Sequence, residues 1–192
     1  PLEIAVDIIA AATATGGVSL AEADSIIVGL TETSIEQVAA DASTTTVSTV
    51  ATADLVTTTG GGIVLVTTDG SIALSDGDGD GLAVSAATGQ VLLDARGDAA
   101  NMEISANVTT FDGAITLRAG GAVNQGAGVD VVSNGGTIEV LAANGGFTMA
   151  DDARLMSAGA NIQVDAGASV SLGGVHALTG IVSITARNAD IV

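Results

Sequence analysis

Six consecutive residues, Asp76-Gly77-Asp78-Gly79-Asp80-Gly81, carry the clearest chemistry in this chain. Carboxylates at alternate positions, with glycines between them, match the first half of a calcium loop, in which hard oxygen ligands wrap one ion. The match then fails, because the twelfth position counted from Asp76 is Ala87, where such a loop needs a bidentate glutamate. A nonapeptide calcium roll fails too, since its glycine-rich turn should recur and here it occurs once. Asp76, Asp78 and Asp80 are therefore the candidate ligands for a weakly held calcium ion, against the plainer reading of an acidic corner. No other cofactor is expected.

The remaining motifs are thinner. Arg96-Gly97-Asp98 spells a tripeptide that integrin-type receptors read on exposed loops, but it arises readily by chance in a chain rich in Gly and Asp. The plain role of Arg96 is to offset a nearby acid such as Asp94. Asp151-Asp152 pairs two carboxylates in the manner of general acid–base sites, yet no Trp or Tyr exists to stack a sugar. His176 is the single histidine and there is no cysteine, so a zinc site would need three carboxylates. Its expected place is the solvent side of a short strand. Clusters at Thr44–Thr46, Thr57–Thr59 and Thr67-Thr68 raise an ice-ordering face, but threonine thins out at the matching positions later in the chain. No catalytic constellation emerges, and the chain is expected not to be an enzyme.

The elements that hold these residues repeat. Gly89-Gln90-Val91-Leu92-Leu93-Asp94-Ala95, Gly113-Ala114-Ile115-Thr116-Leu117-Arg118-Ala119, Gly136-Thr137-Ile138-Glu139-Val140-Leu141-Ala142 and Ala160-Asn161-Ile162-Gln163-Val164-Asp165-Ala166 share one pattern, a turn followed by an alternating strand. Their lead residues Val91, Ile115, Ile138 and Ile162 are spaced 24, 23 and 24 apart. A strand repeat with a period in the twenties marks a solenoid, in which each turn stacks on the last. Alternation puts Ile115, Leu117 and Ala119 on one side and Thr116 and Arg118 on the other, hence aliphatics in the lumen and polar groups in water. Like residues at a fixed period favour parallel stacking over hairpins. The expectation is an all-β chain, a parallel β-helix with coils of roughly 20–24 residues. Glycines at the corners are expected to supply positive φ.

The spacing predicts one solenoid segment over 1–192, with regular coils from 60 to 192 and irregular coils before that. Within the irregular part, 34–41 reads as a turn or two of helix, because Ser34 with Gln37 three residues on resembles a capping box. Both ends read as running repeat, so a larger repetitive protein is expected.

Composition narrows the partners. There are 22 acidic residues against four Arg and no Lys, a formal net charge of −18, which opposes nucleic acid and anionic lipid alike. Phe111 and Phe147 are the only aromatics, so the core must be built on Val, Ile, Leu and Ala. Mean hydropathy is +0.58, but polar residues or glycine interrupt every run long enough to span a bilayer. No membrane insertion is expected. A β-helix lyase or hydrolase would need a groove lined with Arg, Lys or rings, which this chain scarcely has.

Gly113-Ala114-Ile115-Thr116-Leu117-Arg118-Ala119-Gly120-Gly121-Ala122-Val123, Ala160-Asn161-Ile162-Gln163-Val164-Asp165-Ala166-Gly167-Ala168 and Val182-Ser183-Ile184-Thr185-Ala186-Arg187-Asn188 resemble filamentous-haemagglutinin-type repeats. Gly17-Val18-Ser19-Leu20-Ala21-Glu22-Ala23-Asp24-Ser25-Ile26 is similar to a phrase met in giant repetitive surface proteins of aquatic bacteria. The resemblance covers 60–192 well and 1–60 loosely. It implies a right-handed parallel β-helix shaft, extracellular or cell-surface placement on a bacterium, and a role in adhesion, aggregation or cell–cell contact. Exposed end coils would be unpaired strand edges, so neighbouring repeats or identical subunits stacked end to end are expected partners, and the adhesive role adds a cell-surface receptor or glycan. It carries no catalytic residues.

Overall fold

Leu93 lies in register between Leu65 and Leu117 on parallel neighbours, and the same column runs from Leu2 through Leu20 to Val140, Val164 and Ile184. The computed structural model, which describes residues 1–192, is all-β, with 24 strands and no helix. No helix is therefore long and apolar enough to cross a membrane. The first sheet stacks eight strands in chain order, Leu2–Ile4, Val18–Glu22, Ile63–Thr67, Val91–Ala95, Ile115–Ala119, Ile138–Ala142, Ile162–Ala166 and Val182–Ala186. The second holds Ile8–Ile9, Ile26–Val28, Ile72–Leu74, Met102–Ile104, Val123–Gln125, Phe147–Met149 and Val170–Ser171. The third holds Ala11–Thr13, Leu55–Thr57, Leu82–Ala86, Asn107–Thr110, Asp130–Ser133, Arg154–Ser157 and Gly174–His176. Successive strands pass from sheet to sheet, so each coil gives one strand to each of three sides. This is the parallel β-helix that the cassettes predict.

The three inward faces meet in one cluster of 38 buried apolar residues. Each column is a ladder of like shapes. Ile63, Val91, Ile115, Ile138 and Ile162 form one, and Ala95, Ala119, Ala142 and Ala166 form another of smaller side chains at the strand ends. Phe147 occupies a lumen position in the second sheet between Val123 and Val170 and is fully buried, whereas Phe111 is exposed. Glu22 is the charged member of a ladder. It sits in register with Thr67, and its carboxylate accepts the N–H groups of Val6 at 3.1 Å and Ala23 at 2.8 Å.

The coil length varies with the corners. Steps along the first-sheet column are 18, 45, 28, 24, 23, 24 and 20 residues. The long step contains an excursion, residues 29–54, that leaves the second sheet after Val28 and rejoins the third at Leu55. Its core is an antiparallel hairpin of Ser34–Val38 with Thr44–Ser48, every residue of which is exposed. The predicted helix over 34–41 is therefore a strand. A few residues cannot offset the cost of nucleating a helix, while Thr-rich Thr44–Ser48 supplies β-branched cross-strand partners, Val47 opposite Ile35 among them. Ala42 takes φ 66° at the tip, beside Asp41, whose carboxylate accepts the Ser43 N–H and hydroxyl at 3.0 and 2.6 Å. The hairpin base is closed by reciprocal backbone bonds between Thr31 and Thr52, 2.8 and 2.9 Å.

The corner glycines serve two purposes: Gly79, Gly81, Gly97, Gly128 and Gly159 take the expected positive φ, and another set does something else. Gly61, Gly89, Gly113 and Gly136 stand in a column without positive φ; instead, a Cβ on each would lie 1.9–2.1 Å from the carbonyl oxygen of the preceding glycine in the column. Coils approach too closely there for any side chain. The carbonyls are held by hydroxyls at the ends of third-sheet strands. Ser133 Oγ donates to Gly113 O at 2.8 Å and accepts from Gly136 N at 2.7 Å. Thr110 and Ser157 make the same stitch one coil to either side. These buried polar groups are thereby satisfied, as burial demands.

Three substitutions test this construction by thermal or denaturant unfolding. Ser133→Ala should cost roughly 1–3 kcal/mol, because it leaves a buried carbonyl and N–H without partners. Phe147→Ala should cost about 3–5 kcal/mol through the cavity left in the lumen. Gly113→Ala should prevent native stacking, whereas Gly60→Ala, whose added Cβ meets nothing closer than 3.6 Å, should leave the transition in place.

Candidate metal centre

The acidic corner connects Ile72–Leu74 of the second sheet to Leu82–Ala86 of the third, so its backbone is anchored at both ends by coil stacking. Asp76 turns back into the corner: its Oδ1 accepts the Gly79 N–H at 2.6 Å and its Oδ2 the Gly81 N–H at 2.8 Å. Gly79 and Gly81 stand at φ 88° and 87°, where side chains are disfavoured. Burial works upward on the Asp76 carboxyl, but the N–H groups of Gly79, Gly81, Asp78 and Asp80 together outweigh it and hold it below the usual carboxylate range. Asp78 Oδ1 accepts the Asp80 N–H at 3.2 Å, and Asp80 Oδ1 accepts the Leu82 N–H at 2.8 Å.

Of the three aspartates put forward by the sequence, the structure brings Asp78 and Asp80 together and commits Asp76 to the backbone. The third carboxylate of the cluster is Asp54. One oxygen from each of Asp54, Asp78 and Asp80 falls within 4.8 Å of the others. Asp54 ends the excursion, directly before Leu55–Thr57, with φ 62° and only 2% of its surface exposed. Its Oδ1 accepts the Gly77 N–H at 3.0 Å. Burial pushes the Asp54 carboxyl above its ordinary range; the Gly77 bond opposes this, and the charges of Asp78, Asp80 and Asp76 add to it. Gly77 itself seats the corner against the hairpin base, since a Cβ there would lie 2.8 Å from Leu30 N and 2.9 Å from Gly29 C. Sequence reading missed Asp54 because the excursion separates it from the acidic run. Its one local signal was an acid between Ala53 and the apolar start of a strand.

Three carboxylates from two chain segments thus form a hard-oxygen cluster, the donor type that divalent cations prefer. The other motifs stay apart. Arg96 Nε donates to Asp94 Oδ2 at 2.8 Å, the offsetting role expected of it. Gly97 takes φ 108° in this corner, and the Asp98 carbonyl accepts Asn144 Nδ2 at 3.1 Å. Asp152 accepts the Gly128 N–H at 2.9 Å in an exposed turn. His176 is exposed at the end of Gly174–His176, beside a hollow lined by Met156, Val132 and Leu178 with no carboxylate. Thr57 and Thr67 point into the lumen while Thr44–Thr46 lie on the hairpin, so the threonines share no face.

Comparison of the chain with protein-family models, with curated proteins and with solved structures finds no match to any of them.

The role given to Asp76 has a direct readout. Asp76→Ala removes the acceptor of two backbone N–H groups, so amide exchange at Gly79 and Gly81 should accelerate while the lumen ladders keep their protection. Unchanged exchange at both glycines would show that the corner is fixed by its ends alone.

Proposed function

We propose that this chain is a shaft segment of a large extracellular bacterial surface protein, a non-catalytic scaffold acting in adhesion, cell–cell contact or a surface filament. The observation that carries the reading is the unbroken in-register stacking of the first sheet through eight strands. Such a structure gives length and stiffness, since each coil contacts only its neighbours. The resemblance to filamentous-haemagglutinin-type repeats adds the surface setting. Leu2–Ile4 and Val182–Ala186 each pair on one side only, which fits stacking against neighbouring repeats or an identical subunit. Leu2, Ile8, Val182 and Ile191 are exposed apolar residues at these two ends.

The exterior is consistent with a crowded surface. Three exposed ion pairs, Arg96–Asp94, Arg118–Glu139 and Arg187–Asp165, engage only three of the 22 acidic side chains. The remaining charge keeps rods apart at low ionic strength and is screened within roughly 10 Å at 0.1 M salt. A receptor or glycan on another cell is the partner that this setting suggests.

Two measurements test the proposal. On denaturing gels of source cells, an antibody to this segment should mark a polypeptide far larger than 18.4 kDa that external protease removes from intact cells; a protected intracellular band at 18.4 kDa would overturn it. In solution, light scattering of the isolated segment should report a mass that rises with protein concentration as ends stack. A strictly monomeric segment would remove the end-to-end partner.

A further inference from the structure

The outward face of the third sheet differs from the other two. First-sheet strands point Asp94, Arg118, Glu139 and Asp165 away from the lumen, and the second sheet does the same with Glu103. In the third sheet, two outward columns run through five successive coils with no carboxylate, lysine or arginine. One is Ser85, Thr109, Val132, Met156 and His176, each in register with the next. The other follows two residues later, just past the strand ends: Ala87, Phe111, Asn134, Ala158 and Leu178. Phe111 is 60% exposed and Leu178 77%. Hollows open between the columns, one beside Met156 and Leu178 and one beside Thr109 and Phe111, and Val132 and Asn134 line both. On a chain of formal net charge −18, such a face lets a like-charged molecule approach with the least repulsion.

We propose that this face pairs with the same face of a second copy, the two rods lying antiparallel about a two-fold axis at the Val132–Asn134 coil. The order of side-chain sizes along the columns carries the proposal. A two-fold axis in the plane of contact and along the strands keeps each column opposite itself and reverses the order of coils. Phe111 then stands over the partner's Ala158, and Leu178 over the partner's Ala87. Met156 meets the partner's Thr109, His176 meets the partner's Ser85, and Val132 and Asn134 meet their own counterparts. Each of the three largest side chains is thus set against a smaller one, the complementarity that a close interface needs. The rims fit as well. Arg154, the one arginine without a carboxylate partner in its own chain, is in register with Asp130, and the two-fold gathers two of each at one edge with no net charge. Asp112 lies over Gly135 beyond the other edge and stays in water. Five coils of about 4.8 Å and a strand about 16 Å long give roughly 400 Å² per partner, half the roughly 800 Å² of a stable interface. The isolated segment should therefore dimerise weakly. The pairing does not depend on the shaft reading, because a free-standing domain would present the same face.

The chain has no cysteine, so single introduced cysteines report the contact. Packed sheets stand about 10 Å apart, beyond the roughly 4.4–6.8 Å between Cα atoms that a disulfide spans, so a short bis-maleimide is the cross-linker. Asn134→Cys should be linked into dimers several-fold faster than Thr148→Cys, an exposed outward position on the second sheet. A mixture of Phe111→Cys and Ala158→Cys should give the mixed dimer in excess of either homodimer. Adding Ala158→Asp to Asn134→Cys places carboxylates against Phe111 and should bring the rate down to that of Thr148→Cys. Residue 158 is exposed, so circular dichroism and melting temperature should not change. Equal rates at 134 and 148 would overturn the proposal, as would an excess that survives Ala158→Asp. Preferred homodimers of Phe111→Cys would overturn the antiparallel two-fold. End-to-end stacking leaves Asn134 in mid-rod, so a segment that gains mass by its ends and shows no excess at 134 refutes this pairing and leaves the shaft reading standing.

Discussion

Every feature of this molecule depends on the distance between one coil and the next. Parallel strands paired by backbone hydrogen bonds stand about 4.8 Å apart, and that spacing is imposed on whatever else lies along the column. In the lumen it demands like residues in register, which is why Leu stacks on Leu and Ala on Ala through the first sheet. At the corners it leaves no room for a Cβ, so a file of glycines runs through Gly61, Gly89, Gly113 and Gly136. The hydroxyls of Thr110, Ser133 and Ser157 then hold carbonyls that the turn would otherwise leave buried without partners. Core, corner and capping are one constraint met three times.

The same constraint explains what could be read in the sequence. Val91, Ile115, Ile138 and Ile162 announced the register directly, because equal coil lengths write the stacking into the residue numbers. The first 60 residues were opaque for a physical reason: an excursion of residues 29–54 separates Leu20 from Leu65, which are nevertheless direct neighbours. Its local signals also pointed the wrong way, since a capping pattern at Ser34 and Gln37 is a short-range preference that cross-strand pairing with Thr44–Ser48 overrides. Positive φ, a local property, was legible at corner glycines such as Gly79, Gly81 and Gly97; the purpose of the Gly61, Gly89, Gly113 and Gly136 file was not, because close approach between coils depends on neighbours some two dozen residues away.

The acidic corner shows the same division. The alternation of Asp76, Asp78 and Asp80 marked the place, and a chain alone cannot say which carboxylates turn inward. Asp76 is the residue that the backbone takes, through Gly79 and Gly81. Asp54 arrives from the far end of the excursion, so no spacing rule reaches it. The cluster exists because the longest interruption of the repeat returns to the shaft beside the most acidic turn in it.

The direction of the inter-coil hydrogen bonds has a mechanical meaning. They lie along the axis of the rod, so a pull between its two ends loads a terminal strand edge and peels one coil before the next feels the full force. A coil released this way converts a rise of about 4.8 Å into an extended length of roughly 80 Å for some 24 residues. Tension is thus met by stepwise lengthening, and when it lapses the freed segment finds the same template on which to wind again. A rod of this construction behaves under load as an extensible tether and at rest as a stiff spacer.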